Sequence, residues 1–421
     1  MRKRLLILIG FVFLIVGQVE FYRLAAVRNR PPWPLLALPI FATVLISLSG
    51  ICLLLYAGFS KGSVNDDLRC LLRKHPRKLA LVIGSCFVLL AVISAELGFY
   101  VVNHSQASRM RAARRMGSYP KDFYQHSNLL GYEPAPEQRT PWKKIVMGNV
   151  AYDVVYTIDA ASRRVTPSSA ENAKELVLFF GGSFTFGEGV SDNQTMPHYF
   201  GESTHDVAIC NCAAGGYGPQ QMLAQLESGR LDDLVRDRTV VAVYTFIDGH
   251  LQRAIGSMHV VTSWGGNMPC YQLDRRDNPT HVGSFNQARV IQTSLHRLCS
   301  RSQILKYFRL DVPPYTSESH VHLTARIIEK SAELLAQKSS RCRFCFVFYP
   351  GSELVRRLGR EFEGSSVQVL DYSKLIDTHD PAYRMKFDGH PPPQLHHIVA
   401  SQLALDIYGE RRTVPADAGT Q

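Results

Sequence analysis

Long apolar stretches occupy most of the first quarter of the chain. Three of them, at residues 5–27, 35–59 and 79–102, have about the length of roughly 20 residues that a helix needs to cross a bilayer. The third contains one carboxylate, Glu96, close enough to its end to reach the membrane interface by snorkelling. The pattern predicts a membrane domain of three transmembrane helices over residues 1–102.

Basic residues indicate how these helices would be oriented. The chain begins with Arg2, Lys3 and Arg4, and the connector at 60–78 contains six lysines and arginines against two aspartates. The positive-inside rule places both segments in the cytoplasm and the rest of the chain on the far side of the membrane. Four arginines within 109–115 oppose this bias and suit contact with anionic headgroups instead. A signal peptide also begins with basic residues, but no small-residue cleavage site follows before the second stretch.

The pattern after the membrane domain, over residues 103–170, is polar at first and then alternates. Residues 119–142 are rich in Pro, Tyr and polar side chains, which is typical of a linker. Residues 151–158 alternate between apolar and polar positions, and a second short stretch follows at 163–167. We predict that these two stretches form a hairpin packed on the next domain, because an isolated hairpin is only marginally stable in water.

From residue 171 to residue 412, short apolar runs alternate with segments of helical periodicity. This alternation predicts a parallel sheet with helices on both faces, an α/β fold of the three-layer α/β/α sandwich type, followed by a disordered tail at 413–421. The predicted strands are 175–181, 206–210, 239–246, 343–349 and 367–371, and the main predicted helices are 193–202, 219–228, 319–337, 352–360 and 394–408. Residues 259–311 interrupt the pattern and form either a wall beside a ligand site or a peripheral elaboration.

The net charge of +11 changes this picture little. Many of the basic residues lie beside the apolar stretches, and no nucleic-acid recognition motif accompanies them. We therefore expect contact with membrane lipids, and no nucleic-acid partner.

The nine cysteines do not define a metal site. Two close pairs, Cys210 with Cys212 and Cys342 with Cys345, lie on or beside predicted strands, and no histidine completes a ligand set at zinc-site spacing. Buried structural cysteines are the better interpretation, and a disulfide is permitted if the domain lies in an oxidising compartment. We expect neither a metal nor a cofactor.

A serine follows the first strand of the predicted sandwich. Residues 178–189 read LFFGGSFTFGEG, so that Ser183 stands between glycines at the end of a buried strand. Such a turn holds the serine rigidly and lets backbone amides approach a substrate oxygen. A serine needs a base to take its proton and donors to stabilise the resulting oxyanion. The alternative interpretation is that this segment is an ordinary turn with no catalytic role.

A candidate base lies near the C-terminus. The segment FDGHPPP places Asp388 two residues before His390, in a stretch that prolines keep out of a helix. Histidine suits the role of general base, and an aspartate beside it fixes the tautomer and stabilises the imidazolium. His396 and His397 follow in a predicted helix, where we expect them on its surface.

Together these segments resemble the SGNH, or GDSL-type, hydrolases and acyltransferases over about residues 174–408. The resemblance implies that Ser183 is the nucleophile and that Asp388 and His390 complete the triad. The family's second block corresponds to NCAAGGYG at 211–218, whose glycine lines the oxyanion hole; Gly216 and Gly218 are both candidates, and we select Gly216.

This chain departs from the family pattern at three points. Gly182 replaces the Asp that usually precedes the serine, and one residue instead of two separates Asp388 from His390. The third block lacks the asparagine that supplies an oxyanion donor. His250 and Arg253 are candidate substitutes, since both side chains carry N–H donors; the alternative is a loop salt bridge between Asp248 and Arg253.

These features predict a serine esterase anchored in a bacterial inner membrane by several helices, with its catalytic domain in the periplasm. The expected substrate is an ester, such as the O-acyl group of an envelope glycan or lipid. Transfer of the acyl group to an envelope polysaccharide is an alternative, and with only three membrane helices it would require a membrane partner that delivers acyl groups. A catalytically degenerate scaffold that binds glycan is a further alternative.

Overall fold

In the computed structural model of the protein, the residues described are 84–85, 88–100, 102–104, 122–146, 148–204, 206–339 and 341–409. The predicted membrane stretches at 5–27 and 35–59, the basic connector at 60–78, the arginines at 109–115 and the tail at 413–421 lie outside the described residues. The chain divides into two compact units, one of residues 1–112 with 301–310 and the other of residues 113–300 with 311–421.

Parallel strands form the central sheet of the larger unit. The five strands are β5 (Glu175–Phe180), β6 (Ala208–Asn211), β7 (Thr239–Phe246), β10 (Cys342–Phe348) and β11 (Val367–Asp371). Their order is β11-β10-β7-β5-β6, and each neighbouring pair is parallel. The central strands are continuous apolar runs because both faces of the sheet are buried. The predicted parallel sheet is confirmed.

Helices cover both faces of this sheet. From residue 183 onward the α-helices of the chain, numbered α1 to α12 whether or not they contact the sheet, are Ser183–Phe186, Met196–Thr204, Pro219–Glu227, Asp232–Val235, Gly249–Ile255, Met258–Val260, Phe285–Ala288, Val290–Cys299, Gln303–Phe308, Glu318–Lys338, Val355–Glu361 and Pro393–Tyr408. Helices α2 and α12 pack on one face through Phe200 and Leu403, and α3, α5, α10 and α11 pack on the other. Alternate side chains of β5 enter the two cores, as expected for the middle layer of a three-layer sandwich.

Antiparallel ribbons precede the sheet where a linker was expected. Strands β1 (Tyr124–Ser127) and β2 (Gly131–Pro134) pair with each other, and β3 (Gln138–Val146) pairs with β4 (Asn149–Ile158). The predicted linker at 119–142 therefore contains strands, and the partner of 151–158 is the segment before it. The expected pairing with 163–167 is reduced to a single bridge between Ile158 and Arg164. The composition was misleading because packing supports the ribbon: the ring of Trp142 lies 4.7 Å from Phe123 and 5.5 Å from Tyr156.

The insertion at 259–311 has its own secondary structure. A π-helical turn, Val261–Gly265, follows α6, and strands β8 (Pro269–Leu273) and β9 (Pro279–Ser284) form a hairpin. The hairpin lies against the helices of the sandwich, where the Tyr271 hydroxyl donates to Glu227 at 2.6 Å.

The smaller unit contains part of the third predicted membrane stretch. Residues 88–100 are helical, and Glu96 accepts hydrogen bonds from the Ser302 hydroxyl and the Gln303 amide at the start of α9. Phe99 packs on Tyr307 with ring centroids 4.6 Å apart. Glu96 thus caps a helix, whereas the sequence suggested a snorkelling carboxylate. Among the helices of the described ranges, none combines the length and the apolar character required to cross a bilayer.

Candidate active site

The predicted nucleophile lies where β5 meets α1. The strand ends at Phe180, and the backbone turns through Gly181 and Gly182 before Ser183 begins the helix. A side chain on Gly181 would overlap the hydroxyl of Thr185, so the turn requires glycine. As the first helical residue, Ser183 has an amide with no acceptor inside the helix. Ser183 is 7% exposed and stands at the carboxyl end of the strand, where ligands bind in parallel sheets.

His390 reaches this serine from a loop more than 200 residues away in sequence. Its Nε2 lies 3.0 Å from the Ser183 Oγ, and its Nδ1 contacts the Asp388 Oδ1. The loop closes tightly, because the Met385 amide donates to the His390 carbonyl at 2.9 Å and Gly389 has a φ of 92°. The ring of Phe184 packs edge-on against the imidazole, with centroids 5.5 Å apart.

A single residue between Asp388 and His390 is enough to bring the carboxylate to the ring. The Asp388 Oδ1 also accepts the backbone amide of His390 at 3.2 Å, which folds the side chain back over the turn. The resulting order of contacts is Asp388, His390, Ser183, so the structure brings the three predicted triad residues together.

Lys144 adds a contact that the sequence did not indicate. Its ammonium forms an ion pair with the Asp388 Oδ2, and the Asp388 side chain is fully buried. Burial raises the pKa of Asp388, but hydrogen bonds from His390 and Lys144 outweigh this effect and hold that pKa well below its usual range. Asp388 is therefore ionised whenever the protein is folded near neutral pH. Lys144 comes from β3, and nothing in its sequence context distinguishes it from Lys143.

The second sequence block forms a turn beside Ser183. The Tyr217 amide donates to the Ala214 carbonyl at 3.1 Å, and Gly216 has a φ of 82°, a conformation that favours glycine. The amide of Gly218 is already used, because it donates to the Gln221 side chain at 2.8 Å. Of the two candidate oxyanion glycines, Gly216 is thus the one whose amide has no hydrogen-bond partner among the described residues.

Aromatic side chains surround this turn. The Tyr132 hydroxyl donates to the Gly215 carbonyl at 2.7 Å, and the Trp264 indole donates to the Gly216 carbonyl at 3.4 Å. Trp264 belongs to the π-helical turn of the insertion and is 39% exposed. This part of the insertion therefore forms a wall beside the second block.

His250 lies directly behind the nucleophile turn. It is buried in α5, and its Nε2 is 2.8 Å from the point where a Cβ atom of Gly182 would lie. Its Nδ1 is 2.9 Å from the Tyr244 hydroxyl, and its Nε2 has no hydrogen-bond partner among the described residues. Burial, with a smaller contribution from Arg253, lowers the pKa of His250 well below its usual value, so the ring is neutral.

Arg253 occupies the space that a side chain at position 182 would need. A Cβ on Gly182 would overlap its Nη1, which donates to the Tyr217 carbonyl at 2.7 Å. The alternative salt bridge with Asp248 does not form, because that carboxylate accepts hydrogen bonds from the Ser352 hydroxyl at 2.6 Å and the Glu353 amide at 2.9 Å. A guanidinium and an imidazole thus lie where a side chain at position 182 would be, and the chain has glycine there.

A buried arginine fixes the loop that follows the nucleophile. Arg164 is 2% exposed and donates to the carbonyls of Phe186 at 2.8 Å and Val190 at 2.6 Å, and to the carbonyl of Gly187. Its Nε donates to Asp192 at 3.1 Å, which balances the charge. Because four acceptors satisfy one guanidinium, residues 186–190 are held in a single geometry.

Glu188, within this loop, is a second carboxylate near the triad. Its Oε2 lies 3.5 Å from the His390 Nε2, and its Oε1 accepts a hydrogen bond from the Tyr152 hydroxyl at 3.1 Å. A Cβ on Gly215 would lie 3.6 Å from the same Oε2. The sequence gives no signal for a role of Glu188, since a carboxylate between two glycines is common in surface turns.

The structure also bears on the predictions for His396 and the cysteines. His396 is fully buried in α12, where burial lowers its pKa to about 3, so its assignment to the helix surface was wrong. The described cysteines are free thiols, including Cys210 and Cys212 with sulfur atoms 3.2 Å apart.

A cavity of about 410 Å³ is lined by residues next to Ser183 and His390 in the chain. Phe184 and Gly389, neighbours of Ser183 and His390, form part of its wall, and Ile247, Tyr349 and Leu395 supply apolar lining.

Comparison with known proteins gives similarity in structure only. No family profile matches the chain, and no curated protein matches it. A lipolytic G-D-S-L family protein from Veillonella parvula DSM 2008 is similar over 56% of this chain and 99% of that one, with 13% identity and a TM-score of 0.34. The acetyl xylan esterase Est2A from the rumen bacterium Butyrivibrio proteoclasticus is similar over 56% of this chain and 64% of that one, with 10% identity and a TM-score of 0.32.

An extracellular lipase from Streptomyces rimosus is similar over 55% of this chain and 99% of that one, with 9% identity and a TM-score of 0.33. These neighbours are lipolytic proteins and esterases.

Proposed function

We propose that this protein is an SGNH-type serine esterase with Ser183, His390 and Asp388 as its triad. The single observation that supports it most is the continuous contact from Asp388 through His390 to the Ser183 hydroxyl, at 3.0 Å for the last step. A degenerate scaffold has no need to keep a serine, an imidazole and a buried carboxylate in this order.

In this mechanism the Ser183 Oγ attacks the ester carbonyl while His390 takes its proton at Nε2. Asp388 holds the other ring nitrogen and stabilises the imidazolium. Collapse of the tetrahedral intermediate breaks the bond to the alcohol, which leaves with the proton from His390, and an acyl group stays on Ser183. Water then attacks the acyl-enzyme and restores the serine.

Three donors are proposed for the oxyanion: the amides of Ser183 and Gly216 and the Nε2–H of His250. The tautomer of His250 follows from its partner, because a neutral ring needs one donor and one acceptor. Burial raises the pKa of Tyr244 well above its usual value, so that phenol keeps its proton and can donate it to Nδ1. The remaining hydrogen of His250 is then on Nε2, a buried donor that an oxyanion would satisfy.

The substrate class is proposed to be an O-acyl ester on a glycan or lipid of the cell envelope. The exposed ring of Trp264 beside Gly216 offers a flat apolar surface of the kind that suits a sugar, and the cavity beside Phe184 offers room for an acyl group. Transfer to a polysaccharide hydroxyl instead of water uses the same acyl-enzyme, and it remains the second candidate function.

We further propose that the chain is attached to a membrane by three helices, with this domain outside the cytoplasm. In the described part of the third stretch, Val88, Leu89 and Leu97 are 65%, 60% and 52% exposed, and exposed apolar side chains of this kind mark surfaces that contact a membrane or another protein.

Labelling with a fluorophosphonate probe tests the nucleophile. The unaltered protein should be labelled once and should hydrolyse p-nitrophenyl acetate, whereas Ser183→Ala should lose both properties while its melting temperature is retained, because only a hydroxyl is removed. His390→Ala should act on the same step, so that the double variant is hardly slower than either single one. Substantial hydrolysis by Ser183→Ala would exclude the triad.

A further inference from the structure

Glu188 occupies a position that the triad mechanism leaves without a role. It is half-buried, and its Oε2 lies 3.5 Å from the same His390 nitrogen that faces the Ser183 hydroxyl. Its backbone is fixed, because its amide donates to the Ser183 carbonyl at 2.9 Å and Arg164 holds the carbonyl of Gly187 next to it. The carboxylate is therefore directed at the reacting atoms by the loop that follows the nucleophile.

In the proposed mechanism His390 acts as a base, so its Nε2 begins the reaction with a lone pair and does not donate to this carboxylate. The Nδ1 hydrogen faces Asp388, and the Ser183 hydroxyl donates to Nε2. The Tyr152 hydroxyl bonds to Oε1 at 3.1 Å, and the salt bridges of the described residues give Glu188 no lysine or arginine partner. The Glu188 Oε2 is thus able to accept a hydrogen bond from a molecule bound in the site.

That molecule arrives after acylation. Once Ser183 carries the acyl group, it has no hydroxyl hydrogen, and the Nε2 of His390 faces the next nucleophile. Whatever delivers a proton to Nε2 lies within reach of the Glu188 Oε2 as well, because the two atoms are 3.5 Å apart.

We infer that Glu188 binds the acceptor that attacks the acyl-enzyme, and that this subsite takes an acceptor with two hydrogen donors. Water has two hydrogens, and a sugar with neighbouring hydroxyls offers two as well. A simple alcohol has one, which goes to His390, and it would leave Glu188 unpaired at a cost. This inference rests on the proposed serine esterase mechanism and assigns the binding site of the molecule that attacks the acyl-enzyme.

The atoms balance without any further reactant. The acceptor oxygen bonds to the acyl carbon as its proton moves to the His390 Nε2, and the bond from that carbon to the Ser183 Oγ then breaks. The proton passes from Nε2 to Oγ. The second hydrogen of the acceptor stays bonded to its own oxygen throughout and only donates to Glu188.

Pre-steady-state hydrolysis of p-nitrophenyl acetate separates the two halves of the reaction. We expect Glu188→Gln to release a first equivalent of nitrophenol at nearly the unaltered rate, and then to turn over about 10- to 100-fold more slowly, the range for loss of a hydrogen bond to a charged group. Glu202→Gln, which removes an exposed carboxylate from α2, should change neither phase. Equal slowing of both phases by Glu188→Gln, or no slowing, would overturn the inference.

Competition between acceptors tests the requirement for two donors. With 1,2-propanediol or 1-propanol added at equal concentration, the unaltered enzyme should transfer more acetyl groups to the diol, and Glu188→Gln should lose that preference. A preference that survives in the variant, or its absence in the unaltered enzyme, would contradict the proposed subsite.

Tyr152→Phe provides a second variant in case Glu188→Gln does not fold. It keeps the carboxylate but removes the hydroxyl that orients it, so we expect a smaller slowing confined to the second phase. A normal second phase in that variant would count against the inference. If the unaltered protein showed neither an initial burst nor fluorophosphonate labelling, the serine esterase mechanism itself would fail, and this inference with it.

Discussion

His250 is a neutral ring whose Nδ1 has the Tyr244 hydroxyl as a partner and whose Nε2 has none among the described residues, and it lies where a side chain at position 182 would be. If its Nε2–H stabilises the oxyanion, His250→Ala should lower kcat roughly 10²-fold or more with little change in KM, as for removal of an oxyanion donor. His250→Asn should restore part of the rate, because a side-chain amide also supplies an N–H donor. Turnover of an acetyl ester by the two variants measures this.

Tyr244→Phe gives a matched control for the tautomer. It leaves the histidine in place but removes the hydroxyl that keeps hydrogen off Nδ1, so a loss smaller than that of His250→Ala is expected. Wild-type rates for both His250 variants would instead make this histidine a bystander.

Lys144 and Asp388 link the stability of the domain to pH. The pKa of Asp388 is depressed in the folded state, so its ionisation stabilises the fold above the unfolded value of about 4 and this contribution disappears as pH falls through the folded value. Lys144→Met should lower the free energy of unfolding by about 1 to 2 kcal/mol near pH 6, since the lysine is partly exposed, and by less only near pH 1.5, where the folded pKa of Asp388 is approached. Denaturant titrations at the two pH values measure the difference.

The adjacent lysine supplies the control for this substitution. Lys143 pairs with Asp153 at 2.6 Å on the exposed face of the same ribbon, with 38% and 55% of the two side chains exposed. Lys143→Met should change stability by less than about 0.5 kcal/mol at either pH. A pH-independent loss in the Lys144 variant, equal to that of Lys143→Met, would show that the contact with Asp388 contributes nothing.

At the scale of elements, periodicity was sufficient for the sandwich but not for the ribbons. The sheet strands are runs of buried apolar residues and carry their own signal, so β7 was located at its observed bounds. Strand β3 contains Pro141 and two lysines, and its pairing depends on aromatic packing that no local pattern records. The error mattered for the site, because β3 supplies Lys144.

The same limit applies to the candidate site. Ser183 lies in a glycine-rich turn after an apolar strand, and His390 follows Asp388 closely. These residue types are typical of a nucleophile and a base, so both could be predicted from the sequence. Glu188 and Arg164 have no such context, and their positions depend on how the loop after α1 folds. The tautomer of His250 depends on Tyr244, which lies six positions earlier, on β7. This contact follows from the placement of the two side chains and has no signal in the sequence.

For the molecule as a whole, the predicted cytoplasmic location of the basic connector at 60–78 determines on which side of the membrane the rest of the chain should lie. If residues 60–78 stay in the cytoplasm and three helices cross the membrane, alkaline phosphatase fused after Gln421 should be active, because that enzyme folds only outside the cytoplasm. Green fluorescent protein fused at the same position, exported unfolded, should be dark. The reverse pair of results would place the domain in the cytoplasm.

The separation of the proposed triad along the chain has a consequence for biosynthesis. Ser183 and His390 are 207 positions apart, and His390 lies on the loop that leads into α12. A ribosome that adds about 5–20 residues per second reaches the histidine roughly 10 to 40 s after the serine. Under the proposed mechanism the serine has no base during that interval and cannot attack an ester. Hydrolysis therefore cannot begin before residue 390 has been added to the chain.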